Sequence, residues 1–112
     1  MSTFLTDTEI DCLARGLIHR SLPKSEWTHA AHFAAALWLL KRGGLRAMSE
    51  MGPLIIAYNE ATGVANTETS GYHETITLAS LRAARSWLLN RPDAPLHLVL
   101  AELLATSLGR SD

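Results

Sequence analysis

Apolar residues recur along this chain at helical spacing, and no stretch shows the alternation of a half-buried strand. The first helix is predicted to start at Thr6, where Thr6-x-x-Glu9 has the spacing of a capping box. Ile10, Leu13, Ala14 and Leu17 form its apolar stripe, which ends before Pro23. A second helix runs from about Trp27-Thr28 to Arg42 and is ended by Gly43-Gly44, as glycine ends helices. Between residues 30 and 40 its only polar side chain is His32. A helix apolar on nearly every side is a buried one, so this is the predicted central helix.

A third helical stretch covers 45–62, with Gly63 as its stop and Gly52-Pro53 in its middle. Proline removes a backbone donor and crowds the preceding turn, so a kink or two short helices are expected there. Residues 64–70 form a loop rich in Thr, Asn and Ser. The fourth helix is expected from about 72 to 90, capped by Thr69 or Ser70 and closed by Pro92. Asp93 is expected to cap a fifth, with Leu96, Val99, Leu100, Leu103 and Leu104 on one face. The fold class read from this pattern is all-α. It is a single domain over 1–112, a compact bundle of about five helices, mostly antiparallel up-down, with a kinked third helix.

Short connections alternate the helix directions, and that gathers chemistry at one end. The start of helix two (Trp27, His29, His32), the end of helix three (Tyr58, Asn59, Glu60) and the start of helix four (Tyr72, His73, Glu74) are expected to meet there. The loop with Asn66, Thr67, Thr69 and Ser70 covers the same end. His29 shares a helical face with Phe33, Ala36 and Leu40, with His32 one turn on; His73 shares one with Ile76, Ser80, Ala84 and Trp87. Lys41, Arg42 and Arg91 mark the opposite end and read as ordinary solvent-facing caps.

Imidazoles facing inward each need a partner for both nitrogens. Three of them beside a carboxylate are a common set of ligands for a divalent metal. On that reading His29, His32 and His73 are the metal ligands. Glu74 is a fourth ligand or general base, and Glu60 and Glu26 lie within reach. The ring nitrogens of His29 and His73 would then sit on the order of 4 Å apart. Glu26-x-x-His29 has the spacing found in di-iron bundles, but such sites need the motif twice and the chain holds it once. Two other readings stay open. In one, the histidines satisfy backbone groups at helix starts; in the other, they line a metal-free pocket for a small molecule. Thr75 and Thr77 are unusual choices for a helix start, which points to partners for their hydroxyls.

Composition narrows the field of partners. At 112 residues and 47% hydrophobic, the chain can bury a core without staples. Its formal net charge of -1 excludes the basic stripe that nucleic-acid binding needs. Its one cysteine, Cys12, allows no internal disulfide and no thiolate zinc knuckle. The acidic start lacks the features of a signal peptide, and the longest apolar run, 33–40, is too short to span a bilayer. A cytoplasmic location and no membrane partner are therefore expected. Trp38 lies opposite His29, so it is either covered by another helix or part of a subunit contact, and with Leu98 and Leu108 it suggests a homodimer. His19 and His97 look peripheral.

At Trp27-Thr28-His29-Ala30-Ala31-His32, Tyr58-Asn59-Glu60, Asn66-Thr67 and Gly71-Tyr72-His73-Glu74-Thr75-Ile76-Thr77, the chain resembles a group of small uncharacterised bacterial proteins with WTHxAH and GYHETxT stretches. The resemblance spans about residues 20–90. It implies no activity, only that these stretches are the group's hallmark. Members resembling it continue past the fifth helix, so a further C-terminal segment is expected. The function expected from the residues is metal binding, or metal-dependent catalysis on a small molecule, with zinc, manganese or iron as the cofactor. Trp27, Tyr58, Asn59, Asn66, Thr67 and Tyr72 would contact the ligand. The alternative is a non-enzymatic binding or oligomerising module with structural histidines.

Overall fold

The computed structural model describes residues 6–63 and 74–105, apart from the side chains of residue 29 and of residues 74–76. Those residues are helical or in short connecting segments, with no strand among them, as the spacing predicts. The elements are α1 (Asp7–Ile18), α2 (His29–Gly43), α3 (Ala47–Ala61), α4 (Glu74–Asn90) and α5 (Leu96–Leu104), with short 3-10 turns at Lys24–Glu26 and Gly44–Arg46. The radius of gyration is 13.0 Å, the size of a compact chain of this length.

The nearly all-apolar α2 lies at the centre and packs against α1, α3, α4 and α5. Ala31, Ala34, Ala35, Ala36 and Leu37 are all 0% exposed. Small alanine side chains allow close approach of the neighbouring helices, and the larger Leu37 fills the space between them. Thr28 caps this helix: its hydroxyl accepts the N–H of Ala31 at 3.2 Å. At the other end Gly44, with φ 58° and ψ -133°, turns the chain through a conformation that only glycine adopts readily.

Thr6 caps α1 as expected, accepting the N–H of Glu9 at 3.2 Å, and Ile10, Leu13, Ala14 and Leu17 are buried. α1 closes in a Schellman turn, in which Ser21 N–H donates to Gly16 O at 2.9 Å and Arg20 N–H to Leu17 O at 3.1 Å. Arg20 occupies the left-handed position, φ 60°, usually held by glycine. The turn lays Leu22 over Gly16, where an added Cβ would meet Leu22 Cβ at 3.2 Å. Leu22 is thereby fixed, and its carbonyl becomes an anchor for the site described below.

Two local expectations are corrected in whole or in part. Of the kink or two short helices expected over 45–62, the second is excluded: α3 runs through Gly52-Pro53 as one element. Pro53 and Ser49, the residue whose carbonyl loses its partner, are both exposed, so the loss falls on the solvent side of the helix, where water can serve instead. Gly52 has no Cβ to clash with the proline ring. Buried Ala47, Met51, Ile55 and Tyr58 on the opposite face hold the helix together. Nor does Asp93 cap α5. Pro95 occupies the cap position, and the N–H of His97 is taken by the Asp7 carboxylate of α1 at 2.8 Å.

Candidate functional site

Pro23 and the 3-10 turn after it deliver Trp27 to the start of α2. Once Thr28 has capped the helix, its carbonyl oxygen still faces the first turn. That oxygen accepts the backbone N–H of His32 at 3.1 Å and lies 2.8 Å from His32 Nδ1. A carbonyl can only accept, so Nδ1 carries the hydrogen, and in the neutral ring Nε2 carries the lone pair. The His32 ring stacks on Trp27, with centroids 4.1 Å apart and planes 29° from parallel. It is therefore held on one face by an indole and at one nitrogen by its own helix.

Tyr58, from the end of α3, meets Trp27 edge-on at 5.7 Å. It is 0% exposed, and its hydroxyl donates to Leu22 O at 2.9 Å. Burial, with the negative Glu26 adding to it, raises the Tyr58 pKa, so the hydroxyl stays protonated and donating. Tyr58, expected to touch a ligand, packs on Trp27 and ties the α1–α2 turn to α3. Asn59 beside it is buried. The start of α2 and the end of α3 therefore meet, as the sequence predicts.

The remaining expected members cannot be placed in the same way. Asn66, Thr67, Tyr72 and His73 lie outside the described residues, as do Thr69 and Ser70. Glu74 is the first residue of α4 and His29 the first of α2, but their side chains lie outside the described residues. Among the described residues, no group of His, Cys, Asp and Glu is arranged to hold a metal. Thr77 and Ser80 of α4 are buried. Cys12 is exposed.

The far end of α2 differs from the ordinary solvated caps expected of it. The Trp38 indole N–H donates to Asp11 Oδ1 at 3.0 Å, and the Arg42 guanidinium lies over the Trp38 ring at 4.4 Å. Trp38 is thus partly covered within its own chain, by Asp11 of α1 and Arg42 of α2, and stays half-buried. Arg15 Nε donates to Asp11 Oδ2 at 2.8 Å, and Arg42 lies 3.5 Å from Oδ1. The hydrogen bond from Arg15 and then that from Trp38 hold the Asp11 carboxyl below its ordinary range. Lys41 Nζ donates to Pro92 O at 3.0 Å, and Arg91 pairs with Glu102 at 3.1 Å.

Nearby, His97 Nδ1 lies 2.8 Å from Asp7 Oδ1, so this histidine is less peripheral than its sequence position suggests. Burial pushes the Asp7 carboxyl upward, but hydrogen bonds from the backbone and ring of His97 and the backbone of Leu96 together outweigh it and lower the pKa. These contacts join residues far apart in the chain, and nothing in local spacing announces them.

Compared with family models, curated proteins and solved structures, the chain has no match. The functional reading therefore rests on its own residues.

Proposed function

We propose that the chain binds a divalent metal, zinc, manganese or iron, at the start of α2 and acts on a small molecule there. The helices would form an up-down bundle that brings the start of α4 to the same end. His32 coordinates through Nε2, His29 and His73 complete a three-histidine set, and Glu74 serves as fourth ligand or general base. Trp27 and Asn59, with Asn66, Thr67 and Tyr72 from the covering loop, would contact the small molecule. The observation that supports this reading is the hydrogen bond between His32 Nδ1 and Thr28 O. Metal-bound histidines typically donate their second ring N–H to a carbonyl or carboxylate, which fixes the ring and directs the other nitrogen at the metal.

Elemental analysis and thermal melts test it. About one metal per chain is expected, with melting raised by about 10 °C when the metal is at a hundredfold excess over its Kd. No stoichiometric metal and no shift with zinc, manganese or iron would remove the metal from the reading. A second reading, an oligomerising module with structural histidines, draws on the exposed Leu45, Leu89 and Leu98, the last 50% exposed on α5. Light scattering that finds only a monomer at high concentration would sink that one.

A further inference from the structure

The far end of α2 borders an open groove of about 510 Å³ between α1, α2 and the start of α5. That is within the size range of small-molecule sites. Trp38 and Pro95 give it apolar surface, and Asp7, Lys41, Arg42 and Asp93 give it charge. Hydrogen bonds between distant segments brace its walls: Trp38 to Asp11, Lys41 to Pro92, and His97 to Asp7.

The charges divide by whether they are already matched. Arg42 faces Asp11, which Arg15 also holds. Asp7 accepts from His97 at the start of α5, where a carboxylate is favoured. Among the described residues, Lys41 has only the neutral carbonyl of Pro92 as its acceptor. Asp93 follows Pro92 directly, lies exposed on the same groove, and has no hydrogen-bond or ion-pair partner among the described residues. Among the described residues, one cation and one anion without a charged partner thus line the same partly apolar groove and form no ion pair with each other.

From this we propose that the groove binds a small zwitterion of the amino-acid type. Its carboxylate would take the remaining hydrogens of Lys41, its ammonium would meet Asp93, and its apolar side chain would lie along Trp38 and Pro95. A ligand with only one of these charges leaves the other protein charge unanswered. The groove lies at the opposite end of α2 from His32, and the inference does not rest on the metal reading.

The test follows the Trp38 indole N–H resonance, assigned with Trp38→Phe, while three ligands are titrated: leucine, leucinamide as the cation, and N-acetylleucine as the anion. An open groove supports only modest affinity, so leucine is expected to shift the resonance with a Kd of about 1 mM, and the other two to bind about tenfold more weakly. Lys41→Gln should weaken leucine about tenfold and leave leucinamide unchanged, whereas Asp93→Asn should weaken leucine similarly and leave N-acetylleucine unchanged. Both residues are exposed, and circular dichroism would establish that the variants fold. The proposal is overturned by no shift with leucine up to about 50 mM. It is equally overturned if the three ligands bind alike, or if leucine binding survives both substitutions.

Discussion

At the start of α2 an indole, an imidazole and a phenol pack ring against ring, and the backbone carbonyls of Thr28 and Leu22 hold His32 Nδ1 and the Tyr58 hydroxyl. At the far end of the same helix another indole lies under a guanidinium, and its N–H is satisfied by the Asp11 carboxylate. Neutral acceptors beside packed rings, one of them wholly buried, give an arrangement that salt barely touches. Charged acceptors near the surface give one that salt screens and acid removes. Both ends hold a tryptophan in place, but only the first also holds an imidazole, by a ring stack and a neutral carbonyl that salt does not screen.

The largest effect that would sharpen this contrast is on stability. Tyr58→Ala removes a wholly buried aromatic ring and should cost ~3–5 kcal/mol in chemical denaturation. Trp38→Ala, at a half-exposed site, should cost clearly less. Equal losses would show that the two ends do not differ in packing. Next in size, Tyr58→Phe keeps the ring but leaves the Leu22 carbonyl without its donor, and should cost ~1–3 kcal/mol. That loss should persist in 1 M salt, where screening acts within about 3 Å. Asp11→Asn should cost less than Tyr58→Phe, and its effect should fade in the same salt. A salt-dependent Tyr58→Phe loss would break the comparison.

The smallest effect is in pH. Asp7 and Asp11 both have pKa values lowered from 3.8. A carboxyl depressed by folding contributes stability that is present above its unfolded value and is lost as pH falls through its folded one. Wild type should therefore exceed the Asp7→Asn, Asp11→Asn double variant at pH 6 to 5, with the difference shrinking below about pH 3.8. Both groups are largely exposed, so the difference should be modest. A difference that grows on acidification would reverse the assigned sign.

Much of the fold follows from local pattern. The Thr6 and Thr28 caps, the buried stripe of α1, and the central place of α2 all come from spacing and side-chain size, which act over a few residues. So does the meeting of Trp27, just before α2, with Tyr58 at the end of α3, because short connections leave few alternatives. What local pattern missed depends on distant partners. Asp7 reaches α5 across a separation of 90 residues and takes the role that spacing assigned to Asp93. Asp11 reaches Trp38 across 27. The Trp27 stack escaped notice because Trp27 precedes the helix, where helical spacing carries no information about neighbours. At Pro53 the helix is not divided, because Gly52 has no Cβ to clash, the proline sits on an exposed face and the opposite face is buried.

The most direct test of the metal reading is a zinc titration observed at the ring nitrogens of His32 by ¹⁵N NMR, in wild type and in His73→Ala. Without metal, His32 should appear as the tautomer with its hydrogen on Nδ1. Zinc should then move the Nε2 resonance with saturation at about one equivalent, and the effect should weaken as pH falls through the histidine range near 6.5. In His73→Ala the fold and the tautomer should remain while zinc affinity drops steeply. A His32 ring with its hydrogen on Nε2, or an Nε2 resonance unmoved by zinc, would contradict the account.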